Sequence, residues 1–195
     1  ILLTGGNGFI GHNLAIFLKS KGNDVTILDS LSVNNLLSFT DSEIINQKLY
    51  RSILNERINL LNLHNIDLQV LDARDYHLYS KTYSAISPDI VIHLAAVSHA
   101  NKSNKDPHST FDHSLRTLEN TLDVCRVNKT HVIYLSSSMV YGNFTSGIVN
   151  EETTCNPIGI YGTLKYSGEL MVKAYHQVFD LPYTIIRPSA LYGER

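Results

Sequence analysis

The run Thr4-Gly5-Gly6-Asn7-Gly8-Phe9-Ile10-Gly11 constrains this chain more than any other part of it. It follows an apolar segment that reads as a strand, Ile1 to Leu3. It opens a segment, Phe9 to Ser20, with Ile10, Leu14, Phe17 and Leu18 on one helical face. The run satisfies G-x-G-x-x-G through Gly6, Gly8 and Gly11, and G-x-x-G-x-x-G through Gly5, Gly8 and Gly11. Glycines so spaced allow a tight turn, bring bare backbone against a diphosphate and set a helix close to a strand. The diphosphate then rests at the positive end of the helix. Taken alone, the run also fits a loop that only turns tightly, so the rest of the chain has to decide.

Further apolar runs read as strands at Val25 to Leu28, Leu68 to Leu71, Ile90 to Leu94, Val132 to Leu135 and Tyr183 to Ile186. Helices are expected at Ser109 to Asn128 and Ile160 to Phe179. The alternation predicts right-handed crossovers and a parallel sheet. The expected class is therefore α/β, a doubly wound Rossmann-type sheet with helices on both faces and ligands at the carboxyl ends of its strands. At 195 residues the chain suits one core rather than two ordinary domains, so residues 1–195 read as one dinucleotide-binding domain. A substrate domain would start only after residue 188. The Asn/Leu-rich stretch from about 31 to 65, with Ile44, Ile45, Leu49, Ile53, Leu54, Ile58, Leu60 and Leu61, reads as an insert of one or two helices. Two roles stay open for it: packing on the sheet edge, or forming a helical cap or dimer surface.

The net charge of −2 leaves no basic excess for nucleic acid. No apolar run approaches the roughly 18 residues of a membrane span. The chain opens inside a strand without a Met, a basic leader or a cleavage site, so a few residues are expected before Ile1. Cys125 and Cys155 form neither a disulfide framework nor CxxC, for which a reducing cytoplasm is the simplest home.

Asp29 ends the second strand, where an acid would accept ribose hydroxyls; a solvated turn carboxylate is the other reading. Ser30, Leu31 and Ser32 follow, with no Arg to receive a 2′-phosphate, which favours NAD over NADP. Tyr161 and Lys165 stand four apart and share a face on a helix. A free phenol is a poor base at neutral pH, but a nearby ammonium favours the phenolate. Ser136-Ser137-Ser138 ends the fifth strand, at the edge where ligands bind. Each feature alone fits a solvated helix face or a turn; together they describe a proton-transfer site beside a dinucleotide.

The chain resembles the extended short-chain dehydrogenase/reductase family, the sugar-nucleotide epimerases and dehydratases. TGGNGFIG at 4–11, Asp29, DARD at 72–75, HLAA at 93–96, SSSMVYG at 136–142, YGTLK at 161–165 and RPSALYG at 187–193 carry the likeness. The resemblance implies a cofactor trough formed by Gly5, Gly8, Phe9, Ile10 and Gly11. It places Asp72 and Ala73 beside the adenine, and Leu94, Ala95 and Ala96 along the trough. Ser137 becomes the catalytic hydroxyl, Tyr161 the acid/base, and Lys165 the residue that binds the nicotinamide ribose and lowers the Tyr161 pKa. Arg187, Pro188 and Ser189 approach the nicotinamide end. The implied partner is a nucleotide-sugar, with a homodimer formed through helices of this domain.

Four positions depart from the family. Ala190 stands where Asn is common, Ser114 and Thr117 stand where Asn and Gly are common, and Leu164 replaces a frequent Ser or Thr. Ser138 and Met139 occupy the places where dehydratases carry an Asp-Glu pair, which argues against elimination. The histidines make no H-E-x-x-H or Cys/His cluster, so no metal site is expected. His93 reads as packed or hydrogen-bonded, and His99, His108 and His113 as surface. Glu151 and Glu152 read as loop residues near a helix start, and Cys155 has no legible activating base. The expected reaction is 4-epimerisation, with other oxidation-based chemistry and a non-catalytic NAD sensor as rivals.

Overall fold

In the computed structural model, all residues are described except 34, 40–44, 99, 145–146 and 195, together with the side chains at 38, 39, 100 and 102. Expectations that rest on Ile44 and His99 lie outside the described residues. The chain divides into two compact units, Ile1–Ala95 with Gly193–Arg195, and Ala96–Tyr192.

The first unit contains β1 (Leu2–Thr4), α1 (Phe9–Ser20), β2 (Thr26–Asp29), a 3₁₀ turn (Leu36–Phe39), α2 (Gln47–Leu63), β3 (Asp67–Val70), α3 (Tyr76–Ile86) and β4 (Ile90–His93). Its strands are all parallel, in the order β3-β2-β1-β4. β1 is buried throughout, and Leu3 lies between Ile27 and Ile92 in register. Covered on both faces, such a strand has to be apolar rather than alternating, as Leu2-Leu3 is. The chain steps outward from β1 to β2 to β3 and then returns to the other side of β1 with β4. That reversal puts the topological switch point between β1 and β4, where open α/β sheets bind ligands.

The Gly-rich turn leaves β1 at this point. Gly5 has φ +70°, and a Cβ there would lie 2.7 Å from the Ala95 Cα, so the exits of β1 and β4 touch backbone to backbone. A Cβ at Gly11 would lie 2.4 Å from the Gly6 carbonyl oxygen, which is why α1 can start so close to the turn. Gly8 differs: its φ of −74° suits any residue, and its Cβ would make one ordinary contact at 3.4 Å.

The stretch from 31 to 65 is the crossover from β2 to β3. It contains the short 3₁₀ turn and the long helix α2, which packs on α1 and on β3, the edge strand of this unit. Leu54, Arg57 and Leu61 form the buried stripe of α2 at helical spacing. α3 has no counterpart among the expected helices. Its signals are Asp75, whose side chain caps the Leu78 N–H at 3.0 Å, and the buried pair Tyr79 and Tyr83, one turn apart. A stripe made of tyrosines reads as polar, which hides it from an aliphatic pattern.

The second unit contains α4 (Ala100–Lys105), α5 (Pro107–Phe111), a turn of π-helix (Asp112–Arg116), α6 (Thr117–Asn128), β5 (His131–Leu135), a 3₁₀ turn (Ser138–Tyr141), α7 (Gly159–Phe179) and β6 (Tyr183–Ile186). β5 and β6 pair in parallel from Val132↔Tyr183 to Leu135↔Ile186. The pairing runs on past the strands: the Ser136 N–H donates to Ile186 at 2.8 Å and the Ser138 N–H to Pro188 at 2.9 Å. The helix expected from Ser109 starts at Pro107, where Asp106 caps the Ser109 N–H at 3.0 Å, and it passes through the π turn. Leu118, Leu122, Cys125, Val132, Leu164, Val172 and Leu181 form the core of this unit. Among the described residues, no helix is long and apolar enough to cross a membrane.

Replacing Gly11 with Ala should cost about 2 kcal/mol through overpacking, a fall in melting temperature of roughly 4–8 °C. Gly8→Ala should lower it by about 1–4 °C, since Ala is a poorer cap than Gly by about 0.5–1 kcal/mol and no packing is disturbed. Thermal unfolding of the two variants checks the contrast.

Candidate active site

In the first unit, Asp29 is buried at the end of β2. Its carboxylate accepts the Asn7 N–H at 2.9 Å and the Leu31 N–H at 2.8 Å. Burial pushes this carboxyl upward, while the two N–H donors and the charge of Arg57 pull it back part of the way. The buried Asn7 side chain donates to Asn35 Oδ1 at 3.2 Å, and Asn35 Nδ2 donates back to the Asn7 carbonyl at 3.3 Å. Arg57 Nη1 reaches the same carbonyl at 3.5 Å. Among the described residues, Asn7 Oδ1 finds no partner. Asp72, after β3, is held by the Arg74 guanidinium at 2.6 Å, and Ala73 is buried. The Leu94 N–H donates to the Thr4 carbonyl at 2.9 Å and carries the β1–β4 pairing into Ala95. His93 Nδ1 pairs with the Thr4 hydroxyl at 2.9 Å, so this histidine is hydrogen-bonded in the core as expected.

In the second unit, Ser137 lies just past β5 and starts the 3₁₀ turn, its Oγ accepting the Met139 N–H at 3.2 Å. Tyr161 stands in the first turn of α7, with the Ser137 hydroxyl near enough to act on its phenol. Burial raises the Tyr161 phenol and the Ser137 hydroxyl lowers it, with burial the larger effect. Lys165, one turn further on, is buried and donates to the Leu135 carbonyl at 2.7 Å. Its ammonium lies 6.0 Å from the Tyr161 ring centre and 5.4 Å from that of Tyr134. Burial pushes the Lys165 amine down to about 8. The spacing of Tyr161 and Lys165 thus brings phenol, hydroxyl and amine together, but the phenol of the unliganded chain is protonated at neutral pH.

Arg187 directly follows β6. Its guanidinium forks onto Glu169 at 2.8 and 2.6 Å and also donates to the Tyr141 phenol at 2.9 Å. Glu169 is fully buried and accepts a third bond from the Ser136 hydroxyl at 2.6 Å. Glu169 follows Lys165 by one turn on α7, and that spacing is the signal that could have found it. Arg57 carries no such signal, because only the folded crossover brings it to Asp29. Pro188 is half-buried and Ser189 exposed, and Ala96 opens the second unit. The Ser114 hydroxyl accepts the Val97 N–H at 3.3 Å from within the π turn. His108 and the pair Glu151 and Glu152 are exposed, as expected, while His113 is half-buried. Burial raises the Cys155 thiol, which leaves it a poor nucleophile.

The profile of the NAD dependent epimerase/dehydratase family matches residues 1–195, and the chain belongs to that family. A UDP-glucuronic acid 4-epimerase from Bacillus cereus, solved with UDP-glucuronic acid and NAD, has a TM-score of 0.79 at 28% identity, covering 95% of this chain and 55% of its own. A UDP-glucose 4-epimerase from Brucella ovis, solved with NAD, has a TM-score of 0.78 at 27% identity over 95% of this chain and 50% of its own. The dTDP-D-glucose 4,6-dehydratase of Dictyostelium discoideum is 31% identical over 216 residues, covering 100% of this chain and 44% of that protein. The chain spans about half the length of the curated relatives it matches. The fold is Rossmann-type α/β, and NAD is the cofactor of the family. The residues present fit that cofactor: nothing in the packing requires a glycine at position 8, but a diphosphate resting on bare backbone does.

The depressed Lys165 amine has a measurable consequence. Unfolded, it keeps its proton up to its ordinary 10.5; folded, it releases the proton near 8. Between those values the unfolded chain binds more protons, so stability rises with pH. Wild type should therefore gain stability relative to Lys165→Met as pH increases through that window, as urea titrations at several pH values would show.

Proposed function

We propose that this chain is the cofactor-holding and proton-transferring part of a nucleotide-sugar epimerase that works by transient oxidation at a sugar hydroxyl, at C4. The observation that carries the reading is the Lys165 ammonium 6.0 Å from the Tyr161 ring centre and anchored at the strand end that carries Ser137. Gly5, Gly8, Phe9, Ile10 and Gly11 would hold the diphosphate, and Asp29 a ribose. Asp72 and Ala73 would flank the adenine, with Leu94, Ala95 and Ala96 along the dinucleotide and Pro188 and Ser189 near its nicotinamide end. NAD, when bound, supplies the acceptor for the hydrogen removed from the sugar carbon and the donor that returns it.

The remaining chemistry belongs to side chains. Ser137 holds the sugar oxygen by a hydrogen bond. Tyr161 takes the hydroxyl proton as the C–H hydrogen leaves with its electron pair, and the carbinol becomes a ketone. After the sugar turns over, Tyr161 returns the proton to the carbonyl oxygen and the carbon is reduced on its other face, which inverts the centre. Tyr161 needs positive charge to ionise against burial, and Lys165, still mostly an ammonium at neutral pH, supplies part of it.

The relation to a dehydratase raises elimination as a second reading. Ser138 and Met139 follow the catalytic hydroxyl in the 3₁₀ turn, and neither offers the carboxyl that elimination requires. Neither Cys125 nor Cys155 is held in a disulfide, which suits a reducing cytoplasm.

The test uses UDP-, dTDP- and GDP-hexoses deuterated at C4, the protein that carries this chain, and NAD in catalytic amount. One of them should give its C4 epimer with the label retained and no net NADH. Tyr161→Phe should slow turnover about 10²–10⁴-fold, the usual worth of acid/base catalysis, with NAD affinity unchanged. Accumulating NADH, or a Phe variant of normal rate, would overturn the proposal.

A further inference from the structure

An arginine on the core face of an amphipathic helix needs a reason, because a buried guanidinium is costly unless an anion and acceptors meet it. Arg57 occupies such a place between Leu54 and Leu61, on the one stripe of α2 that turns inward. Among the described residues the Asn7 carbonyl meets it at 3.5 Å, and the charge of Asp29 acts on it from beyond ion-pair distance. Asp29 and Asn7 are already joined by the Asn7 N–H, and Asn35 braces the Asn7 peptide and side chain from the start of the crossover. One buried cluster thus ties the Gly-rich turn, the end of β2 and the crossover helix together.

We infer that Arg57 is a positioning residue of the dinucleotide site: it fixes Asp29 and the Asn7 peptide and holds the Asp29 carboxylate in the ionised form that accepts ribose hydroxyls. The crossover from 31 to 65 is then a working part of the nucleotide site rather than edge packing alone. The inference rests on the reading that the Gly-rich turn and Asp29 hold NAD.

The physical argument concerns which form Asp29 takes. Burial drives it toward the neutral acid, and Arg57 opposes that shift. A protonated Asp29 would spend its proton as a donor and lose acceptor capacity toward the ribose. Among the described residues, the groups packed around Asp29 include few other charges. Val70 faces it in register from β3, Ser30 and Ser32 follow it, and β1 contributes Leu3 and Thr4. His12 on α1 pairs its Nδ1 with the Gly8 carbonyl at 2.9 Å.

Calorimetry of NAD binding at about pH 7.5 and about pH 5.5 tests this on wild type, Arg57→Gln, Arg57→Lys, Asp29→Asn and the Arg57→Gln/Asp29→Asn pair. Gln keeps a donor for the Asn7 carbonyl and removes the charge. Wild type should bind with a change of about threefold or less between the two pH values. Arg57→Gln should weaken binding about tenfold at the higher pH and about tenfold more at the lower, as Asp29 takes up its proton. Arg57→Lys should keep the wild-type pH profile. In the Asp29→Asn background, Arg57→Gln should cost about threefold or less and show no pH dependence. A loss equal at both pH values, and equal in the Asp29→Asn background, would mean that Arg57 only packs the helix and would overturn the inference. So would an Arg57→Gln protein that binds like wild type. Should Arg57→Gln fail to fold by circular dichroism, Arg57→Lys decides: an unchanged pH profile supports the inference, and an acid-sensitive one overturns it. Wild type failing to bind NAD at either pH would instead defeat the cofactor reading itself.

Discussion

The first unit depends on one buried carboxylate. Asp29 accepts two backbone N–H groups from segments far apart in the chain, Asn7 in the Gly-rich turn and Leu31 at the start of the crossover. Removing a carboxylate from water costs several kcal/mol, so the fold tolerates it only with such donors and the neighbouring guanidinium in place. Those partners fix the path of the turn, and the turn in turn sets Gly5 against the Ala95 backbone and Gly11 against the Gly6 carbonyl. The N-terminal end of α1 is thereby aimed at the switch point between β1 and β4, where a diphosphate would find its N–H groups.

The second unit repeats the device with different residues. Glu169 is fully buried on α7, and it takes the fork of Arg187 from beyond β6 and the Ser136 hydroxyl from the end of β5. Ser136 precedes Ser137, and Lys165 grips the Leu135 carbonyl on the other side of it. The helix that carries Tyr161 and Lys165 is thus tied to the strand end that carries Ser137 by two polar contacts and not by packing alone. Placing the Tyr161 phenol beside the Ser137 hydroxyl needs this registration, because proton transfer is lost when the partners drift by about an ångström.

The sequence was legible wherever function and local structure share a short span. The Gly-rich turn, Asp29 at the strand end, and the Tyr161–Lys165 spacing each lie within one element or its junction, and the strand–helix alternation gave the fold class. What it hid depends on chain segments meeting. Arg57 looks like any helix residue until α2 packs on α1. Arg187 reads as part of a cofactor-facing motif until Glu169 is seen to hold its guanidinium. α3 was hidden by composition, since Tyr79 and Tyr83 bury rings while looking polar. The stretch from 31 to 65 reads as an insert because it is Asn/Leu-rich, and only Leu54 and Leu61 of its apolar residues join Arg57 on the buried stripe of α2.

The central claim is that the Asp29 cluster is built for a ribose with free hydroxyls. Asp29 offers oxygen acceptors and negative charge, and the Arg57 guanidinium reaches the Asn7 carbonyl, whose peptide N–H donates to Asp29 in turn. A 2′-phosphate would meet that carboxylate at close range and lose its hydrogen-bond partners. Paired calorimetric titrations with NAD and NADP test the claim most directly. The account predicts that NAD binds at least about tenfold more tightly, roughly 1.4 kcal/mol. Equal affinities, or a preference for NADP, would contradict it and would mean that Arg57 serves the phosphate and not Asp29.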